Sequence, residues 1–252
     1  MSSLDAILDQ FDPISLDQLN EVSLLQRVDT KYILHISQLY KVLEDLISDQ
    51  HILEIKGQRK FEYLTHYYDT EDFKFYQHHH NGYVNRLKVR TRSYVDSNLN
   101  FFEIKHKERG TRTNKIRKVM EVLPENLGNA EYDMIENKRY NDEKLVLKMS
   151  NSFHRITLCN KSFTERITID TDVRFFNGER IIKKPFLSII EVKQGKNDYY
   201  SHTIQTLKKY GIRQASFSKY AVGIAMLEKQ LKRNKFKAIL LKLKKMELAH
   251  AG

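Results

Sequence analysis

The feature that most constrains this chain is a strict two-residue alternation between Asn85 and Tyr94. A period of two indicates a β-strand, because successive side chains of a strand point to opposite faces of a sheet. One face of this strand therefore carries four cations and no acid. These cations are Arg86, Lys88, Arg90 and Arg92. Since like charges repel at close range, the row predicts either an anion opposite it or a face open to solvent.

Composition favours a cytoplasmic globular protein. Hydrophobic residues make up 40% of the 252 residues and charged residues 30%, which is typical of a soluble protein with a substantial core. No apolar run reaches the roughly eighteen residues of a membrane span, and the N-terminus lacks the pattern of a secretory signal. Cys159 is the only cysteine, which excludes internal disulfides and cysteine-rich metal sites and suits a reducing compartment.

Positive charge is concentrated at the C-terminal end. The formal net charge is +11, and the segment from Lys229 to Lys245 holds eight basic residues and no acid, which leaves +3 for the rest of the chain. Residues 229–252 are predicted to form a basic amphipathic helix. Such a helix can pack on the domain or a partner, and it can also lie on an anionic membrane or contact a membrane protein or a polyanion. Its apolar stripe comprises Phe236, Ile239, Leu240 and Leu243.

Periodicity along the rest of the chain predicts an α+β protein with a mainly antiparallel sheet. About eight to ten strands alternate with few helices, and no repeat or low-complexity linker divides residues 1–228, so these residues are expected to form a single domain. The pattern also predicts a helix over 141–150 and one long helix that starts near Ser216 or Ser218 and continues into the tail.

Two details favour charged faces that point inward. The cation row from Arg86 to Arg92 has no interleaved acid, whereas solvated faces usually mix both signs. Glu191 and Lys193 lie on one face of the most apolar strand, where a solvated face is least expected. Both details fit a barrel whose charged faces line a tunnel and whose apolar faces are covered by helices outside. An open sheet with its charges in water remains the alternative, and a tunnel of this kind would need an anion or a metal for stability.

A set of short motifs, in this order, resembles a known family. The motifs are Arg27-Val28-Asp29-Thr30-Lys31-Tyr32, Tyr68-Asp69-Thr70, Lys88-Val89-Arg90-Thr91-Arg92-Ser93-Tyr94, Phe102-Glu103-Ile104-Lys105, Arg166-Ile167-Thr168-Ile169-Asp170-Thr171, Ile190-Glu191-Val192-Lys193 and Ser216-Phe217-Ser218-Lys219-Tyr220. Together they resemble the VTC domain, the polyphosphate polymerase domain of the vacuolar transporter chaperone family and its bacterial relatives, from about Val22 to Leu227. That family belongs to the CYTH-like triphosphate tunnel metalloenzymes, so the resemblance implies an antiparallel tunnel barrel of about eight strands, with a charged interior and helices packed outside.

The resemblance implies an ATP-dependent polyphosphate polymerase that uses Mn²⁺ or Mg²⁺, with ATP and inorganic polyphosphate as its ligands. Arginine binds phosphate oxygens in pairs, lysine supplies a point charge, and phosphoryl transfer needs mainly positioning and charge neutralisation. Glu191 and Glu103 are the implied metal ligands, and an ion pair is the alternative for each. The implied catalytic residues are Lys31, Arg90, Arg92 and Lys219. The implied phosphate ligands are Lys31, His79, Arg86, Lys88, Arg90, Arg92, Lys105, Arg155, Arg166, Lys193 and Lys219.

One departure bears on the reaction. Hydrolases of the superfamily begin with Glu-x-Glu-x-Lys, whereas this chain has Arg27-Val28-Asp29-Thr30-Lys31. The missing carboxylates favour a polymerase over a triphosphate or tripolyphosphate hydrolase, which remains the runner-up. A non-catalytic polyphosphate or nucleotide sensor is a third alternative. No specific nucleic acid is expected as a partner, because the sequence shows no base-stacking platform.

Overall fold

A computed structural model of the chain describes residues 3–20, 27–107, 113–135, 143–195 and 200–251. The strands in these ranges are β1 (Asp12–Ile14), β2 (Arg27–His35), β3 (Gln50–Leu53), β4 (Phe61–Thr70), β5 (Arg86–Tyr94), β6 (Leu99–Lys107), β7 (Thr113–Met120), β8 (Leu145–Asn160), β9 (Glu165–Phe176), β10 (Ile181–Lys184) and β11 (Leu187–Gly195). The α-helices are α1 (Leu4–Leu8), α2 (Leu16–Asn20), α3 (Ile36–Leu46), α4 (Lys74–Asn81), α5 (Asn129–Tyr132), α6 (His202–Lys209), α7 (Lys219–Leu227) and α8 (Lys237–Ala251). Short 3₁₀ turns cover Val95–Ser97 and Asn234–Phe236.

The strands form one 11-stranded sheet whose main path runs β2-β11-β9-β8-β4-β5-β6-β7. Every pairing along this path is antiparallel. Strand β3 pairs with β8 and lies parallel to β1, and β10 pairs with β9. No backbone ladder joins β2 to β7 within the described ranges, so the end strands are not hydrogen-bonded to each other. The predicted α+β class and its antiparallel sheet are confirmed.

The sheet curls so that its charged face is concave. Segment 215–218 connects two distant strands of the path: the amide of Ala215 donates to the Lys31 carbonyl on β2 at 2.8 Å, and Lys88 on β5 donates to Ser218 Oγ at 3.1 Å. A segment this short can touch both strands only if the sheet bends them toward each other. We call the concave face, which carries Arg90 and Glu103, the inner face.

The outer face of the sheet is apolar and covered by helices. Alternate residues of β5 and β6, such as Val89 and Ile104, are buried in one cluster with Phe75 of α4. Helices α1, α3 and α6 bury a second cluster against β9 and β11, which includes Ile167 and Val192. This apolar-out, charged-in division is the one that the resemblance implied, and the curled sheet is tunnel-like although no backbone ladder joins its end strands in the described ranges. The division of the two faces follows from the period of two.

Helix α7 packs against the inner face at one end. Its residues from Tyr220 to Ala225 are all buried, in one cluster with Met149 on β8 and Phe175 on β9. Met149 lies on the inner face, because it is paired with Tyr67 and Tyr67 with Arg90. Phe175 lies there too, because it is paired with Asn151, the residue two positions from Met149 on β8. The helix therefore fills part of the concavity and brings its N-terminal residues to the charged region.

Gly223 lets α7 approach the sheet closely. A Cβ at this position would lie 2.7 Å from Phe175 Cδ1 and still closer to Met149 Sδ. Overpacking of this kind costs about 1–3 kcal/mol, and the roughly 1 kcal/mol of helix propensity that alanine gains offsets only part of it. We expect Gly223→Ala to lower the urea midpoint of unfolding, measured by circular dichroism. An unchanged midpoint would mean that the helix has room to shift. Gly178→Ala is the matched control, because nothing lies within 4 Å of the added carbon.

Two predicted helices are wrong. Residues 145–150, predicted as helix, instead begin the 16-residue strand β8, whose pairing with β4 starts at Leu145 opposite Thr70. Long-range pairing overrides local propensity here, since a strand can be stabilised by neighbours distant in sequence. The long C-terminal helix is divided into α7, which ends at Leu227, and α8, which begins at Lys237.

The tail packs against the domain. Phe236, Leu243 and Met246 are buried in the same cluster as α7, and Lys242 Nζ donates to the Ile33 carbonyl on β2 at 2.9 Å. The apolar stripe predicted from sequence therefore faces the protein. Across the described ranges, no helix combines the length and hydrophobicity needed to cross a bilayer.

Candidate functional site

The first group of charges on the inner face surrounds Glu103 of β6. Its carboxylate lies 2.5 Å from Arg90 Nη2, 3.1 Å from Lys115 Nζ and 3.7 Å from Arg117 Nε. The register explains the group, because Glu103 is directly opposite Arg90 on β5 and Arg117 on β7. Burial alone would raise the pKa of Glu103, but the charges of Arg90 and Arg92 outweigh it and hold that pKa well below its usual range.

A second group connects the sheet to α7. Asp170 on β9 accepts two hydrogen bonds from Arg155 on β8, at 2.7 Å from Nε and 2.9 Å from Nη2, and also pairs with Lys219. Arg155 and Lys219 keep the pKa of Asp170 well below its usual range against the opposing effect of burial. Burial, together with the charge of Arg155, lowers the pKa of Lys219 to about 8 even though Asp170 opposes that shift. Helix α7 therefore delivers its first residue into the centre of the site.

Glu191 is the centre of a third group, on β11. Lys31 on β2 lies 2.5 Å from Oε1, and Lys193 lies 3.9 Å from Oε2. Glu191 and Lys31 are direct partners in the β2–β11 register. Burial opposes ionisation, but Lys193 and Lys31 lower the pKa of Glu191 to about 2, so the carboxylate is charged.

Three further cations crowd the same face. Burial lowers the pKa of Lys88 to about 7, with further repulsion from Arg90, Arg86 and Lys31. The charge of Arg90, followed by burial, lowers the pKa of Lys105 to about 7. Burial and the neighbouring arginines lower the pKa of Arg92 to about 10. Within the described ranges, no carboxylate lies at ion-pair distance from Lys88, Lys105 or Arg92. A bound anion would therefore relieve the repulsion between these three cations and their charged neighbours.

The remaining predicted phosphate ligands lie at the margins. Arg86 is the first residue of β5. His79 on α4 is close enough to Lys88 and Arg86 for their charges to repel a proton on its ring. Burial and these cations lower the pKa of His79 to about 3, so the ring is neutral. Arg166 is adjacent to Lys193 in the β9–β11 register, and its Nη2 donates to the Leu19 carbonyl on α2 at 2.6 Å. The structure therefore gathers Lys31, Lys88, Arg90, Arg92, Lys105, Arg155, Lys193 and Lys219 around three carboxylates.

Sequence reasoning missed the central carboxylate of the site, Asp170. A usable signal was present, because Asp170 shares its face of β9 with Arg166 and Thr168. The roles of Lys115 and Arg117 as partners of Glu103 were also missed, although the two residues are two positions apart, as side chains on one face of a strand are. Neither pattern shows which cation lies opposite a given acid, because the pairing register between neighbouring strands cannot be derived from the sequence.

A divalent metal held by the protein alone does not fit this site. No group of three or more His, Cys, Asp or Glu side chains in the described ranges converges on one point. Glu103 is surrounded by three cations, which disfavours a metal there. Glu191 is 20% exposed and has two cations in place of three, with Lys31 at 2.5 Å from Oε1 and Lys193 at 3.9 Å from Oε2. It is therefore the better carboxylate for a metal that the phosphates themselves carry.

Solved structures align with most of the chain at low sequence identity. The chain aligns with a structure described as a candidate adenylyl cyclase from Hippeastrum with a dominant triphosphatase activity, at 11% identity and a TM-score of 0.50, over 79% of this chain and 96% of that one. A candidate adenylate cyclase from Bacillus halodurans aligns at 13% identity and a TM-score of 0.49, over 77% of this chain and 94% of that one. No curated protein sequence matches the chain.

The family comparison agrees with the geometry. The sequence model of the VTC domain matches residues 26–228, which span β2 to the end of α7 and contain every charged group described above. The structure has the features that the resemblance implied, namely an antiparallel sheet curled around a charged face, with helices packed outside. The chain therefore belongs to the VTC domain family and has the fold of the triphosphate tunnel metalloenzymes.

Proposed function

We propose that this protein is an ATP-dependent polyphosphate polymerase, which transfers the γ-phosphoryl group of ATP to a polyphosphate chain inside the tunnel. The observation that supports this most strongly is the excess of cations on the inner face. The carboxylates of Glu103, Asp170 and Glu191 are each shared by at least two cations. Lys88, Lys105 and Arg92 remain beside them with lowered pKa values. A long polyanion is the ligand that such a continuous row of cations matches best.

The transfer needs no protein nucleophile. A terminal oxygen of the polyphosphate attacks the γ-phosphorus of ATP and forms a new P–O–P bond. The bond between the γ-phosphorus and its bridging oxygen breaks, and ADP leaves with that electron pair. In this proposal Arg90, Arg92, Arg155 and Lys219 hold the phosphoryl oxygens, while Lys88 neutralises the polymer. Positioning and charge neutralisation are the main requirements of phosphoryl transfer.

Further assignments belong to the same proposal. A divalent ion that arrives with the triphosphate would neutralise β- and γ-phosphate charge, with Glu191 as its one protein ligand. Lys31, His79, Arg86, Lys105, Arg166 and Lys193 would bind the chain along the tunnel. All these residues lie in residues 1–228, and we propose that the tail, 229–252, supports this domain from outside.

The direct test is incubation of the purified protein with ATP and Mn²⁺, followed by electrophoresis for long polyphosphate and quantification of ADP. Equal amounts of ADP and polymerised phosphate are expected. If free phosphate forms in place of polymer and tripolyphosphate is also hydrolysed, the protein is a hydrolase and not a polymerase. Binding of ATP without turnover with Mn²⁺ or Mg²⁺ would replace it by a sensor.

Glu191→Gln should separate metal binding from phosphate binding. The substitution removes the carboxylate that would contact the ion but leaves Lys31 and Lys193 in place. We expect the Mn²⁺ concentration for half-maximal activity to rise about tenfold or more. Metal-free ATP should bind as well as before or more tightly, because one negative charge has left the site. If the Mn²⁺ requirement is unchanged, Glu191 has only a structural role.

A further inference from the structure

A row of aromatic side chains leads from the phosphate-binding cations to the surface. Its inner end is Tyr63, whose ring packs 5.3 Å from that of Phe153 and lies below the guanidinium groups of Arg155, at 4.9 Å, and Arg92, at 5.6 Å. Lys219 Nζ lies 4.2 Å from the centre of the Phe153 ring. The row therefore begins beside the cations that would hold a triphosphate.

The row continues outward across neighbouring strands. The ring of Tyr94 lies 4.7 Å from Tyr63, and the ring of Phe101 lies 5.3 Å from Tyr94. The guanidinium of Arg117 covers Phe101 at 3.3 Å from the ring centre, and its Nη2 donates to the Tyr94 hydroxyl at 2.8 Å. We call Tyr63, Tyr94, Phe101 and Arg117 the aromatic row.

The aromatic row lies on the inner face and reaches solvent. Tyr94 shares its face of β5 with Arg90 and Arg92, and Phe101 shares its face of β6 with Glu103. Val119, opposite Phe101 on β7, is 66% exposed, so this end of the sheet is at the surface. The opposite end of β5 carries Arg86 and Lys88 and is rich in cations, so the two ends of the inner face differ in chemistry.

We propose that the aromatic row is the binding site for the base of a nucleoside triphosphate, whose phosphates lie on Arg92, Arg155 and Lys219. A planar base can stack on the outer rings or on the guanidinium of Arg117, as aromatic and arginine side chains do with bases elsewhere. Such stacking depends on a π-face and not on hydrogen-bond pattern, so the site takes purine nucleotides without selecting adenine. This inference rests on the proposed use of ATP and adds that the nucleotide enters at the aromatic end.

Single-tryptophan fluorescence tests the site without turnover. The chain contains no tryptophan, so Tyr94→Trp places one reporter in the aromatic row. Saturating ATP and GTP should each quench this fluorescence, whereas tripolyphosphate, which has no base, should not. Tyr200→Trp is the control, because Tyr200 is 70% exposed and lies outside the inner face. Quenching by tripolyphosphate equal to that by ATP would overturn the proposal, as would no quenching by saturating ATP.

Calorimetry on a second variant tests the energetic contribution. The double substitution Tyr94→Leu and Phe101→Leu keeps apolar volume but removes the π-faces. ATP is expected to bind on the order of tenfold more weakly, while tripolyphosphate binds within about twofold of its original affinity. Equal weakening of both ligands would overturn the base site, as would no weakening of either or no ATP binding by the unmodified protein. If the double variant loses affinity for ATP but not for tripolyphosphate, and the unmodified protein makes no polymer, the base site is supported and the polymerase proposal is refuted.

Discussion

Lys219→Met is expected to lower the rate of polyphosphate synthesis by about 100- to 1,000-fold, the usual cost of removing one preorganised charge from a transition state. Methionine keeps the unbranched side chain, and Asp170 keeps both of its hydrogen bonds from Arg155. The fold should therefore persist while the charge that α7 contributes to the phosphates is lost. The measurement is the initial rate of polymer formation at saturating ATP and Mn²⁺.

A control variant and a stability measurement separate a loss of phosphoryl transfer from a loss of folding. Lys209→Met is the matched control, because Lys209 pairs with Asp45 on the protein surface and is 63% exposed. Its rate should stay within about twofold of the unmodified protein. The urea midpoint of Lys219→Met should also remain close to the original, because burial already disfavours the charged form of Lys219 and Asp170 keeps its pair with Arg155. A rate near the original would refute the role of Lys219 in transfer.

Binding of phosphate chains should weaken steeply with rising pH. In the ligand-free protein the pKa values of Lys88 and Lys105 are lowered to about 7, so both side chains lose their protons as pH rises from 7. A bound polyanion stabilises the charged form and raises these pKa values, so binding above pH 7 takes up protons. Each lysine can then weaken binding by up to about tenfold per pH unit. Below pH 7 both are already charged, and the dependence should level off.

Calorimetry between pH 7.5 and 9 measures this effect, and a comparison of variants at the same pH cancels the ionisation of tripolyphosphate, because the ligand is the same in each titration. Titrations with tripolyphosphate in two buffers of different ionisation enthalpy give the number of protons taken up. Lys105→Arg is the matched variant, since arginine stays charged throughout and should remove the share of Lys105 from the pH slope. An unaltered slope in this variant would contradict the assignment.

The charge arrangement also limits the repulsion among the many cations of the site. Neighbouring strands place cations side by side, and the acids that separate these cations are Glu103, Asp170 and Glu191. The pairs Arg90–Glu103 and Arg155–Asp170 are buried, with short contacts. Removing one partner of such a pair leaves an uncompensated buried charge, which costs several kcal/mol. The carboxylates therefore serve the fold as well as the site.

Much of this protein follows from its sequence alone. Strict alternation between Asn85 and Tyr94 determined a strand with a cationic face, and the apolar residues between the cations determined a covered face behind it, because a period of two leaves no other arrangement. The ordered motifs led to the family, which the match over residues 26–228 confirms. The helix predicted over 141–150 was wrong over 145–150, because β8 is stabilised by strands far away in the sequence, and residues 141–142 lie outside the described residues.

Only the tertiary structure decided which charges meet. A strand's sequence shows which side chains share a face, but the register with its neighbours and the direction of sheet curvature depend on packing across the whole chain. For this reason Asp170 could not be recognised as the partner of Arg155 and Lys219, which come from β8 and α7. The aromatic row was hidden for the same reason, since Tyr63, Tyr94 and Phe101 come from three strands and become neighbours only in the folded sheet.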